Sequence, residues 1–217
     1  RMLVLLLSFL VVIVFWGAYE QAGGLMNLYA KEKIDRMIGS FEVPASFLQA
    51  LHAFYVIIIG APIAWFWVKW RKKGLESSSL FKMGVGTIIT SLGFILLAAA
   101  AVQVTESLDG KASIYWLLGA YLLHVIGELS ISPVALSFIT KLAPAKYASF
   151  MMGAYFFASG IGNKIAGLVG EAAQNAGEYT IFIGVFIFCF AFGALLLVFV
   201  KKLNKLTHGA DDIVPAE

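Results

Sequence analysis

The stretch IYWLLGAYLLHVIGELSISPVAL, residues 114–136, decides the reading of this chain. It is long enough to cross the roughly 30 Å hydrocarbon core of a bilayer as a helix, yet it carries Glu128 with no basic neighbour in the same run. A second acid, Glu20, follows LVLLLSFLVVIVFWGAY at residues 3–19. An ionised carboxylate in hydrocarbon is costly enough that two of them inside apolar runs point to function.

The remainder of the sequence makes those runs membrane spans. Hydrophobic residues make up 60% and charged residues 13%, with a mean hydropathy of +0.87, against roughly 25% charged in soluble domains. Six apolar stretches can be drawn at 3–29, 44–68, 83–105, 113–141, 149–173 and 179–200. The expected fold is an all-α membrane protein, a six-transmembrane-helix bundle over residues 1–200 followed by a cytoplasmic polar tail at 201–217, expected to be disordered after Lys202.

Charge sorts by side. Eleven of the sixteen Lys and Arg (Arg1, Lys69, Arg71, Lys72, Lys73, Lys82, Lys141, Lys146, Lys201, Lys202, Lys205) fall on one face, and four (Lys31, Lys33, Arg36, Lys111) on the other. By the positive-inside rule both termini lie in the cytoplasm. The same rule accounts for the net charge of +3, so no nucleic-acid role is assigned. Residues 2–16 end in no small-x-small cleavage signal and read as a retained span.

Span one has polar residues Glu20, Gln21 and Asn27 beside Gly23 and Gly24, which predicts a broken or bendable helix. Trp16 lies one turn before Glu20. Span two runs from Pro44 through His52 and Pro62 to Trp65, Trp67 and Trp70, read as markers of the cytoplasmic interface. Span three, without charge between Gly84 and Val104, reads as peripheral; span five, with Gly162, Ala166 and Gly170 every four residues, reads as central. Span six, rich in Phe, reads as lipid-facing support.

Several residues carry two readings. His124 and Glu128, four apart on a helix, either relay a proton or leave His124 bonded to nearby backbone. Pro133 is either a gating bend or a static kink. His52 is a proton carrier, a ligand donor or a packed histidine. Tyr155 and Ser159 share a face, where packing and back-bonding to the helix are the commoner roles. Lys164 and Glu171, seven apart, favour a structural ion pair. The single Cys189 in IFIFCFAF reads as a small buried hydrophobe, offering neither disulfide nor metal site.

No GxxxxGK[ST], HExxH or GxSxG motif occurs, so the expectation is no enzyme, no metal and no cofactor, with an ion gradient as energy source. An intramembrane enzyme using Glu128 and His124 as acid and base lacks an accompanying nucleophile or metal set.

Three segments resemble one family: FWGAYEQAGGLMNLYA at 15–30, GELSISPVALSFITKLAP at 127–144 and MMGAYFFASGIGN at 151–163 are similar to the proton-dependent oligopeptide transporter family of the major facilitator superfamily. The likeness runs along the whole chain in order but covers only the carboxy-terminal half, family helices seven to twelve. It implies proton-coupled symport of di- and tripeptides, with protons as coupling ion, across the cell inner membrane by alternating access between two six-helix halves.

It also implies residue roles. Glu128 matches an acid that pairs with an amino-half lysine and receives the peptide's amino terminus; Glu20 matches an acid of proton coupling and interdomain pairing with arginine. Trp16, Tyr155 and Ser159 match cavity positions, although the family often has tryptophan where Tyr155 stands. Glu32 matches an outer-gate acid. His52 departs from the family's asparagine, which puts substrate range and pH profile in question. The ExxER-type motif and the lysine of the amino-terminal half have no counterpart here, and a start at Arg1 rather than methionine is the expectation for a fragment. Two other readings stay open: a symporter for another small solute, and a non-transporting six-helix subunit or sensor.

Overall fold

In the computed structural model, which describes residues 1–209 and 211, six long helical rods form the molecule. The first is broken. Helix α1 (Met2–Tyr19) tightens into a 3₁₀ turn at Glu20–Ala22, and α2 (Leu25–Lys33) resumes after Gly24 leaves helical geometry at φ −106°, ψ −98°. The others are α3 (Ala45–Lys72), α4 (Ser79–Glu106), α5 (Ile114–Leu142), α6 (Ala148–Ala176) and α7 (Glu178–Leu206). Ser78 and Ser113 cap α4 and α5 by accepting from Phe81 and Tyr115 backbone N–H groups at 3.4 Å, satisfying donors that a helix start leaves orphaned.

Length and apolar composition suit most of the rods to crossing a bilayer. Counting α1 with α2, five of the six are long and apolar enough to cross a bilayer. The exception is α6, which has the length at 29 residues but whose apolar character is diluted by Asn163, Lys164, Glu171 and many Gly and Ala. At the end opposite the termini, short strands tie the loops together: β1 (Ile34–Asp35) pairs in parallel with β4 (Ala112–Ser113), and β2 (Met37–Ile38) pairs antiparallel with β3 (Phe41–Glu42).

Packing corrects two expectations. Helix α4 is not peripheral: it lies between α5 and α7 and buries Met83, Phe94 and Leu97 completely. Its small residues are the cause. A methyl group on Gly86 would stand 2.9 Å from the Gly127 carbonyl of α5, and one on Gly84 would stand 3.4 Å from the Gly193 carbonyl of α7, so glycines let both neighbours approach closely. Helix α6 is not central. It buries one stripe, including Tyr155, Ala158, Gly162 and Ala166, against α1, and leaves Phe150, Phe156 and Phe157 exposed.

Helix α7 buries Phe182, Cys189, Gly193 and Leu196 on one side and exposes Ile187, Phe188 and Val198 on the other. Helix α3 packs along α5 and buries only Leu48 and Trp67 among its described side chains. Trp67 is buried against α5, its indole N–H donating to Ser130 Oγ at 3.2 Å, whereas Trp65 is exposed.

The expected tail starts later than residue 201, because α7 continues through Lys201, Lys202 and Lys205 to Leu206. Lysines are good helix formers and are favoured at a helix carboxyl end. Ala210 and residues 212–217 lie outside the described residues.

The α1–α6 crossing is testable at Gly162, where a Cβ would meet the Ile13 carbonyl at 2.8 Å and the Gly17 nitrogen at 3.0 Å. Gly162→Val is expected to destabilise the bundle by about 1–3 kcal/mol, as overpacking does. Gly160→Val, which meets open space, is expected to leave unfolding in detergent unchanged; equal stability of the two variants contradicts the crossing.

Candidate binding site at the helix break

The break in the first rod sets the site. Just before it, Phe15, Trp16 and Tyr19 form an aromatic face: Tyr19 stacks on Phe15 at 5.1 Å and meets Trp16 edge-on at 5.5 Å. Their spacings, four and three residues, put these rings on neighbouring turns. Tyr19 then reaches across to α5, where its hydroxyl donates to Glu128 Oε2 at 2.6 Å. From α3, His52 Nε2 contacts the same oxygen at 3.0 Å and also bonds Tyr19 Oη.

One carboxylate oxygen thus joins three helices. Both contacts use Oε2, so among the described residues Oε1 has no protein partner. Side-chain exposures of 20% for Glu128 and 27% for His52 leave that oxygen accessible. A carboxylate held by a phenol and an imidazole, with one oxygen open, is suited to accept hydrogen bonds from a cationic ligand. Glu20, half-buried on the 3₁₀ turn, lies within Coulombic reach of both Glu128 and His52. Both acids thus adjoin Tyr19: Glu20 follows it in the chain and Glu128 accepts from its hydroxyl.

Other candidates fall differently. Trp16 is half-buried with its indole N–H unpartnered. Tyr155 is buried, its hydroxyl 3.3 Å from Ser132 Oγ on α5, and Ser159 Oγ donates back to the Tyr155 carbonyl at 3.0 Å. Glu32 is exposed on α2. Lys164 and Glu171 are exposed and form no ion pair; among the described residues the pairs are Arg36–Glu42 and His52–Glu128.

His124 does not touch Glu128. It is fully buried, its ring 4.8 Å from Phe94 and tight against Gly93 of α4, with neither nitrogen hydrogen-bonded. A four-residue spacing leaves about 40° between two side chains on a helix, enough to turn His124 to α4 while Glu128 faces α1 and α3. Tyr19 is the residue that sequence reasoning missed. Its signal was adjacency to Glu20 inside FWGAYEQAGG, on the aromatic side of the same helix.

Comparison with known proteins then decides the family. A family model described as "PTR2: POT family" matches residues 1–186.

The chain belongs to the POT family.

Among curated relatives, the peptide transporter YePEPT of Yersinia enterocolitica subsp. palearctica is 34% identical over 215 residues, covering 96% of this chain and 42% of the relative. The uncharacterized transporter YclF of Bacillus subtilis is 31% identical over 93% of this chain and 40% of its own length. A crystal structure of a peptide transporter POT in complex with sulfate superposes with a TM-score of 0.86 at 26% identity, over 95% of this chain and 41% of that one. The POT chain described here spans about two fifths of the relatives it matches, and its all-α membrane bundle is the fold that the family membership implies.

Removing the Tyr19 hydroxyl tests the shared oxygen. Tyr19→Phe keeps the ring stack but deletes a hydrogen bond to a charged group, expected to lower stability by about 1–2 kcal/mol at this partly exposed site. Unfolding by SDS titration from mild detergent measures it; unchanged stability means that the phenol does not bond Glu128.

Proposed function

We propose that this chain supplies the carboxy-terminal half of a proton-coupled transporter importing di- and tripeptides by alternating access. The observation that carries the reading is Glu128: a carboxylate held between Tyr19 and His52 with Oε1 open, in a POT-family bundle whose first rod breaks beside it. Relatives named as peptide transporters support the substrate class.

In this reading Oε1 of Glu128 accepts the ammonium of the peptide, or a basic side chain from an amino-terminal six-helix half when no peptide is bound. Glu20 and Glu128 carry the coupling protons. Their proximity means that a charge placed on one is felt by the other, which links occupancy to protonation. Trp16 packs edge-on against Tyr19 beside the site, its own indole N–H buried and unpartnered. Tyr155 and Ser159 contribute to the cavity wall after rearrangement of their present intrahelical and α5 contacts, and Glu32 belongs to the outer gate.

The break at Glu20–Gly24 and the prolines Pro62 and Pro133 within α3 and α5 supply places where the rods can bend. No cofactor other than the proton and no nucleic acid enters this scheme. The protein sits in the cell inner membrane with both termini in the cytoplasm, the side that carries most Lys and Arg.

The test uses this chain together with an amino-terminal half, in liposomes under an imposed pH gradient. Glu128→Gln keeps size and hydrogen bonding but removes the charge, so accumulation of dialanine is expected to collapse and binding to weaken by about 2–5 kcal/mol. Accumulation equal to the parent's rejects the assignment.

His52→Asn is expected to retain transport while changing either the preference among dipeptides or the pH profile of uptake, because asparagine keeps a donor and acceptor without titrating. Identical competition curves and pH profiles for the two proteins make His52 a packing residue.

A further inference from the structure

At the basic end of the bundle a cavity of about 860 Å³ opens between α3, α4, α5 and α7. Each of the four helices contributes one cation to its lining: Arg71, Lys82, Lys141 and Lys205. Lys82 is half-buried, its ammonium 5.6 Å from the centre of the Trp67 ring and within Coulombic reach of Arg71, Asp211 and Lys141. Like charges brought together by four separate elements repel one another unless an anion lies among them.

The chain supplies one anion itself. Asp211, beyond the end of α7, accepts from the backbone N–H of Ser79 and from Ser79 Oγ, both at 2.6 Å, at the first turn of α4. The turn leading to it is held by Arg1, whose guanidinium donates to the Thr207 and His208 carbonyls at 3.0 and 2.9 Å. Glu76, the other acid of the lining, is occupied in accepting from the Ser78 N–H at 3.0 Å. Four cations thus face two carboxylates, each already committed to a backbone N–H.

A helix amino terminus with a serine hydroxyl and converging Lys and Arg is matched to an oxyanion with several acceptor oxygens. Asp211 shows that the position takes one, but a carboxylate on a short side chain meets only the α4 end of a cavity large enough for a head group. Basic pockets between the ends of membrane helices are where phospholipid head groups bind.

We propose that this cavity is a binding site for a phosphate-bearing anion, which displaces the Asp211 carboxylate from the start of α4 and sits among Arg71, Lys82 and Lys141. The phosphate comes either from an anionic phospholipid or from solution.

Native mass spectrometry of the purified chain tests this, with phosphatidylglycerol and phosphatidylcholine offered in competition and inorganic phosphate added at millimolar concentration in a separate arm. Retention of phosphatidylglycerol over phosphatidylcholine is expected. Lys82→Gln with Lys141→Gln is expected to weaken it about 25-fold, two charges at about fivefold each. Lys201→Gln with Lys202→Gln, on the same basic end but outside the cavity, is expected to change it by less than about twofold.

Asp211→Asn, which removes the competing carboxylate, is expected to tighten binding; it carries the test if the double lysine variant proves unfolded by its melting curve. Binding of inorganic phosphate with no lipid preference assigns the source to solution. Equal losses in the two double variants, no effect of Asp211→Asn, or no binding of either probe overturns the proposal.

Discussion

A carboxylate cannot remain ionised inside a helical membrane bundle without donors, and the arrangement around Glu128 follows from meeting that demand. Desolvating the acid is costly, and the chain answers with one hydroxyl from α1 and one imidazole from α3 directed at a single oxygen. Three helices distant in sequence are fixed in register by that convergence. Helix α3 buries few side chains of its own, so its polar tie through His52, together with the Trp67 to Ser130 hydrogen bond nearer its other end, does much to define where it lies on α5.

Close helix approach is what makes those ties reachable. Gly17 with Gly162, Gly86 with Gly127 and Gly84 with Gly193 bring α1 to α6, α4 to α5 and α4 to α7. In a bilayer, where lipid tails are as apolar as leucine, such contacts supply van der Waals packing that burial alone does not. The most closely packed helices are accordingly α4, α5 and α7, while the first rod carries its 3₁₀ turn and glycine break next to the acids. The bend in the first rod therefore lies directly beside Glu20.

Much of this was legible in residues 15–30 and 114–136: the all-α bundle, the broken first rod, the two acids and the family all follow from apolar length, glycine pairs and named motifs. Helix order in space was not. Gly84, Gly86 and Gly93 of α4 mark close helix approach as Gly162 does on α6, but a charge-free run of small and aliphatic residues reads equally as a peripheral helix. Tyr19 escaped notice because a tyrosine in an aromatic run looks like packing, and only the third dimension places its hydroxyl on Glu128. The spacing of His124 from Glu128 suggested a pair, but two residues on one helix face can address different neighbours.

The central claim is that His52 and Tyr19 share one oxygen of Glu128 in the folded bundle. Solid-state NMR recoupling between ¹⁵Nε2 of His52 and ¹³Cδ of Glu128, with the chain in lipid bilayers, measures this directly. The account predicts strong dephasing at a separation of about 3.5–4 Å, as a direct N to O hydrogen bond requires, and persistence of that contact when Tyr19 is replaced by Phe. A separation beyond hydrogen-bonding range in the unmodified chain would contradict it.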